Sequence, residues 1–244
     1  MTLSIYPINL GDVEIDHSFL VWGTKQGTTA TVPNFGYLIL GADKPIVVDT
    51  SFRSVEGMLE TCNLTVHRND EHSLEGHLAK FNLKPSDIGY IIHTHLHVDH
   101  TGLDDKMPNA KILLQRQELQ YAAAPLFPVP FYDREDIAKL VGPLWDRVVL
   151  LEGDSEIFPG IRAVVTGGHT PGHQILYVAL SSGTAIITGD LAYLSEAVDL
   201  QMPSGYWWSL PEVMKGLACI KRDAKYVLPM HDMGILERYP EGIK

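Results

Sequence analysis

The densest chemistry in the chain lies in one short run, His93-Thr94-His95-Leu96-His97-Val98-Asp99-His100. His95 and His97, two residues apart, share one face of an extended segment, and a turn after them brings Asp99 and His100 around a second point. Imidazole and carboxylate are the donors that borderline divalent cations such as zinc select. One loop therefore offers ligands to two ions a few ångströms apart. A lone His-x-His would read as an ordinary solvated loop, but four donors in the six residues 95–100, directly after an apolar run, do not.

Three later positions are of the same type. His169 lies in Gly167-Gly168-His169-Thr170-Pro171-Gly172-His173, Asp190 closes an apolar run in Thr188-Gly189-Asp190, and His231 follows the run 226–230. Each alone is ordinary turn chemistry. As a set the candidates comprise five His and two Asp, each just beyond a strand and able to reach a common sheet edge.

The elements that must position these residues alternate in type. Residues 35–40 and 45–49 read as strands. Asp70 is the expected N-cap of a helix that places Leu74, Leu78 and Phe81 at helical spacing and stops before Pro85. A buried strand is expected over 87–93, another over 111–115, and a helix over 117–124. Four prolines from Pro125 to Pro143, with aromatics among them, predict a long irregular loop with the character of a lid. Strands follow at 148–151, 161–165, 175–180 and 185–188, then a helix over 210–222. Strands and helices interleaved with hairpin-like turns favour a layered α/β sandwich, and with no repeat or linker residues 1–244 read as a single domain.

Composition narrows the function. The chain has 244 residues, 45% of them hydrophobic, which suffices for a sizeable core. Thirty acidic against nineteen basic residues, a net charge of −11, argue against nucleic acid and against anionic membranes as partners. No apolar run reaches the roughly 18 residues of a membrane span, and residues 1–10 lack a signal-peptide pattern. A soluble, cytoplasmic protein is expected. Cys62 and Cys219 form no CxxC pair, so neither a disulfide scaffold nor a Cys-rich zinc site is suggested. Eleven histidines remain as an excess that asks for an explanation.

The HxHxDH run, followed by a later His, an Asp and a final His, resembles the metallo-β-lactamase superfamily, and Asp49-Thr50 after an apolar run resembles that superfamily's early strand-end Asp. The resemblance covers nearly the whole chain and implies an αββα sandwich with two divalent metals, zinc above all, with iron, manganese or cobalt as alternatives. It further implies that His95, His97 and His169 bind one metal and Asp99, His100 and His231 the other, with Asp190 bridging. His93 and His173 match no ligand position and are read as residues that orient ligands or support structure.

Within the superfamily, Glu152-Gly153-Asp154, Phe158-Pro159-Gly160, the GHTPGHQ stretch and Asp190-Leu191-Ala192-Tyr193 resemble the N-acyl homoserine lactone lactonases. In that group a tyrosine three residues after the bridging Asp points at the substrate, and Tyr193 holds that place. The implied catalytic pair is Tyr193, hydrogen-bonding the lactone carbonyl oxygen, and Asp99, protonating the leaving ring oxygen. Three positions depart from the pattern: Gly168 stands where Pro is common, Ser51 where Gly is usual, and Val98 where Phe is frequent. The last is expected to reshape the pocket. Another hydrolase of the same fold, acting on a different lactone, an ester or a phosphotriester, is the alternative; a non-catalytic metal-binding module fits least. The chain after His231 is too short for the helical extension of a glyoxalase II. The aromatic stretches 126–132 and 202–208 suit an acyl channel and equally a homodimer contact, and the sequence leaves both open.

Overall fold

A computed structural model describes residues 2–244, which form two packed β-sheets. The first orders seven strands as β4-β1-β2-β3-β5-β6-β7, with β1 Ser4–Asp16, β2 Thr29–Leu40, β3 Ile46–Val48, β4 Val66–His67, β5 Tyr90–Ile92, β6 Lys111–Gln115 and β7 Val148–Leu151. The second orders five as β12-β11-β10-β9-β8, with β8 Ser155–Phe158, β9 Ile161–Val165, β10 Gln174–Leu180, β11 Gly183–Ile187 and β12 Tyr226–Leu228. Among the described residues eight α-helices accompany the sheets: α1 His17–Leu20, α2 Val55–Cys62, α3 Leu74–Ala79, α4 Arg116–Ala123, α5 Arg134–Val141, α6 Ser195–Leu200, α7 Leu210–Asp223 and α8 Gly234–Arg238. Among the described residues no helix is long and apolar enough to cross a membrane.

Period-two alternation builds the layers. Tyr37, Ile39, Ile46, Val48, Ile92 and Leu113 point inward and meet Ile161, Leu176, Val178 and Ile187 of the other sheet. Their chain neighbours Leu38, Val47, Ile91, Ile112 and Leu114 point outward, under Leu74 and Leu78 of α3, Leu119 of α4 and Ile137 of α5. On the far side Ile175 and Ile186 are covered by Val198 of α6 and by Val213, Leu217 and Ile220 of α7. The result is the αββα sandwich, with helices covering both outer faces.

Three local expectations need correction. The helix foreseen from Asp70 is divided: a short 3₁₀ turn, Asp70–His72, is capped by Asn69, and α3 starts afresh behind Ser73, whose side chain accepts from Gly76 N–H. The proline-rich stretch is not one loop either. Pro125, Pro128 and Pro130 precede α5 and Pro143 follows it, while the Asp133 carboxylate caps the helix by accepting from the Glu135 and Asp136 N–H groups. The buried strand expected over 87–93 is confined to β5, because Pro85–Asp87 turns as a 3₁₀ helix.

Strand direction puts the chemistry at one edge. β3 and β5 run parallel, as do β11 and β12. Their carboxyl ends deliver Asp49, the 93–100 loop, Asp190 and His231 to the same side, where open α/β sheets form their ligand crevices.

Candidate metal centre

The seven candidate residues converge into two groups that share one member. His95, His97, His169 and Asp190 each present a donor atom within 4.8 Å of the others, and so do Asp99, His100, His231 and Asp190. Asp190 faces both groups. Its Oδ2 lies 3.8 Å from His95 Nε2 and 3.6 Å from His169 Nε2, and its Oδ1 lies 3.3 Å from His100 Nε2 and 3.2 Å from His231 Nε2. Asp99 Oδ2 is 3.6 Å from His100 Nε2 and 3.8 Å from His231 Nε2. Donors bound about 2.1 Å from one tetrahedral ion stand about 3.4 Å apart, so these separations fit an ion in each group.

The donors that face inward lack other work. His95 Nε2, His100 Nε2 and Asp190 Oδ1 are buried without a hydrogen-bond partner. His97 Nδ1 and His169 Nε2 have only each other, at 3.0 Å. Leaving that many buried polar atoms unpaired costs too much for chance. Divalent cations account for them, and the imidazole and carboxylate donor set suits such ions.

Except for His97, whose Nε2 is buried without a partner, the outward nitrogens are fixed in turn, as ligating imidazoles require. His95 Nδ1 lies 3.1 Å from Thr94 Oγ1, His169 Nδ1 donates to the Tyr206 carbonyl at 3.3 Å, and His231 Nδ1 donates to the Pro33 carbonyl at 2.9 Å. His100 Nδ1 meets Asp49 Oδ2 at 2.8 Å. Asp49 is itself held by the Thr94 N–H and hydroxyl, at 2.8 and 2.6 Å. Behind it His93 lies between two carboxylates, with Nε2 2.9 Å from Asp104 Oδ2 and Nδ1 3.4 Å from Asp49 Oδ1. His93 is thus an orienting residue, and Asp104, which also accepts from Thr50 Oγ1 at 2.7 Å, is a member of the site that the sequence did not disclose.

Electrostatics separates the two groups. Burial, reinforced by neighbouring imidazoles, drives His95 and His97 well below the usual histidine range. Burial also holds His169 down at about 4 and His173 at about 3. Neutral imidazole is the form that binds a cation, and of these four rings His95, His97 and His169 belong to a donor group. For His100 and His231 burial acts the same way, but the Asp190 and Asp99 carboxylates outweigh it and raise both. Burial would raise Asp49, yet His100 and His93 bring it down to about 2; burial would lower His93, yet Asp104 and Asp49 lift it to about 9.

Above the donors lies a cavity of about 290 Å³. His97, Asp99, Asp190, Tyr193 and His231 form its floor, and Val13, Ile15, Phe19, Leu20, Val32 and Leu64 supply apolar walls. Tyr193 packs edge-on against His231 and His169, with ring centres 5.1 and 5.8 Å away. Of the two aromatic stretches only Phe131 and Tyr206 reach the cavity; Leu126, Phe127, Trp207 and Trp208 are exposed. Val98 does not line it. Its side chain is buried with Leu20, Phe52, Met58 and Tyr193, so its effect on the pocket is exerted from beneath.

The other two departures are backbone matters. Ser51 has φ +59°, a left-handed conformation held by Arg68 Nη2 donating to its Oγ at 3.1 Å. Gly168 has φ +85°, which a proline ring cannot adopt. Walls contributed by β1 and the Asn34 amide, 3.4 Å from Asp99 Oδ2, had no signal beyond ordinary strand alternation.

Comparison with known proteins agrees with this geometry. The family model described as Metallo-beta-lactamase superfamily matches residues 31–231. An N-acyl homoserine lactonase of Bacillus thuringiensis is 30% identical over 208 residues, spanning 82% of this chain and 80% of that protein. The N-acyl homoserine lactonase AttM of Azorhizobium caulinodans is 29% identical over 210 residues, 81% of this chain and 78% of its own. The solved structure of an N-acyl homoserine lactone hydrolase, with the product N-hexanoyl-L-homoserine at its catalytic metal center, superposes with a TM-score of 0.84 at 25% identity and covers 100% of both chains.

Proposed function

Because the chain belongs to the metallo-beta-lactamase superfamily, we propose that it is a metal-dependent hydrolase that opens the lactone ring of N-acyl homoserine lactones, a quorum-quenching activity. One observation carries the reading: a carboxylate, Asp190, with one oxygen on each of two donor groups, at the floor of an apolar cavity. The lactonase names of its relatives supply the substrate class.

His95, His97 and His169 would hold one divalent metal, Asp99, His100 and His231 the other, and Asp190 both; zinc suits these donors best. Bound there, the two metals supply a hydroxide nucleophile near neutral pH and Lewis-acid polarisation of a carbonyl. The residues of the chain do the rest. The walls from Val13 to Leu64 take the acyl chain out of water and lay the lactone on the floor. The Tyr193 hydroxyl donates to the carbonyl oxygen as negative charge develops on it. Its proton stays in place, because burial, together with Asp190 and Asp99, holds the phenol well above its ordinary range. Asp99, at the cavity floor, takes the proton of the hydroxyl group added to the carbonyl carbon and passes it to the ring oxygen as the carbon–oxygen bond breaks, leaving an N-acyl homoserine.

The reading takes residues 1–244 as one domain working in the cytoplasm, where the free thiols of Cys62 and Cys219 are at home. A hydrolysis panel on metal-quantified protein tests it. Homoserine lactones of varied acyl length are expected to be opened in preference to aryl lactones, a phosphotriester, a β-lactam and a glutathione thioester. Faster turnover of any of the latter would reassign the substrate.

A further inference from the structure

Glu118, on α4, belongs to neither donor group and has no part in the chemistry above. Its side chain is buried, yet it accepts four hydrogen bonds. Oε1 accepts from the Leu96 N–H at 3.0 Å and the Tyr132 hydroxyl at 3.1 Å; Oε2 accepts from the Thr170 hydroxyl at 2.7 Å and the Gly172 N–H at 3.0 Å. Each oxygen therefore faces a backbone N–H, which cannot turn round to accept. A side-chain amide would set donor against donor at one of these places, whereas the carboxylate accepts all four with every donor as it stands.

That carboxylate has no cation beside it. Among the described residues no Lys, Arg or His lies within ion-pair distance of Glu118, and an uncompensated buried charge is costly. Burial indeed pushes its pKa upward against the four donors. The donors are not scattered. Leu96 separates His95 from His97, Thr170 and Gly172 follow His169, and the Tyr132 ring sits edge-on to His97 at 4.9 Å. Gly172 packs so closely on the Glu118 backbone that a Cβ there would collide. One anion thus ties together the two loops that carry His95, His97 and His169.

We propose that Glu118 is the positioning residue and remote counter-charge of this three-histidine metal site. Apart from the shared Asp190, three neutral imidazoles bring no negative charge to a dication, whereas the other site has Asp99 of its own; Glu118 supplies the further charge through the hydrogen-bonded backbone of both loops. The assignment rests on the two-metal reading of the cluster.

Zinc titration against a chromophoric chelator, with metal content by mass spectrometry, tests it. Wild-type protein is expected to hold two equivalents. Glu118→Gln is expected to weaken one of them by about 10- to 100-fold and leave the other within about threefold. Glu118→Asp keeps the charge but shortens the reach, and is expected to weaken the same equivalent less than Glu118→Gln does. A purely structural brace would give the reverse order, and that order, or Glu118→Gln binding like wild type, overturns the assignment. Should Glu118→Gln fail to fold, Tyr132→Phe decides: it removes one donor and keeps the anion, so affinity is expected within about threefold of wild type, and a loss beyond about tenfold overturns the assignment. Wild-type protein that takes up no metal would instead overturn the two-metal reading itself.

Discussion

The two halves of the centre are braced in different ways. Behind His100 runs a chain of charged groups, Asp49, His93 and Asp104, in which each carboxylate meets an imidazole. Behind His95, His97 and His169 the buried anion is Glu118, reached through backbone amides and hydroxyls, while Thr94 alone links His95 back to Asp49. The first arrangement neutralises its charges within the protein. The second leaves one anion uncompensated until a cation arrives, so metal and fold depend on each other more strongly there. Similar coordination can therefore be supported by a carboxylate–histidine pair or by a distant buried charge, and the two supports should fail differently.

Breaking the seam between the halves should have the largest effect. Tyr193 touches both His169 and His231, and Tyr193→Phe is expected to lower kcat by about 10- to 1000-fold with both metal equivalents retained. Steady-state kinetics on metal-quantified protein checks this; unchanged kcat removes the hydroxyl from the mechanism. Next comes Asp49→Asn, expected to weaken one metal equivalent by about 10- to 100-fold. Chelator competition should show that it is not the equivalent lost in Glu118→Gln. If both substitutions strike the same one, the division into separately braced halves is wrong.

The smallest effect lies farther out on the Asp104 side. Asp136 pairs with Arg53 Nε at 3.1 Å through Oδ1, while its buried Oδ2 has no partner. Burial and Asp133 push its carboxyl up from 3.8 to about 7 against the pull of Arg53. As pH rises, the unfolded chain releases this proton first, so stability present below about pH 4 is lost between 4 and 7 and stays lost above. Asp136→Asn is expected to match wild type near pH 4 and to melt about 2 to 6 °C higher at pH 8, by calorimetry. A lower melting temperature at pH 8 would mean that the Arg53 pair outweighs the burial cost.

Much of the centre was legible in the sequence because its donors cluster in one loop or directly follow strands. His95, His97, Asp99 and His100 are nearly contiguous, and parallel pairing of β3 with β5 and β11 with β12 gathers the remaining strand ends. The supports were hidden for the opposite reason. Glu118 sits in a polar helical run that reads as solvent-facing, and its four partners lie 14 to 54 residues away. Asp104 resembles any acidic turn residue until His93 is found against it. In the proline-rich stretch, breakers flank α5 without interrupting it, and the Asp133 cap was the signal that mattered. Val98 shows the same limit: its type was readable, but the direction it faces was set by the packing of Phe52, Met58 and Tyr193.

The proposed function requires that the ring be opened at the two donor groups that Asp190 joins. The direct measurement is the ring-opening rate of N-hexanoyl homoserine lactone by the same preparation, first stripped of metal and verified by mass spectrometry, then reconstituted. Turnover is expected to be lost on stripping and to return as the second equivalent of zinc is added. Full turnover in verified metal-free protein would contradict that function.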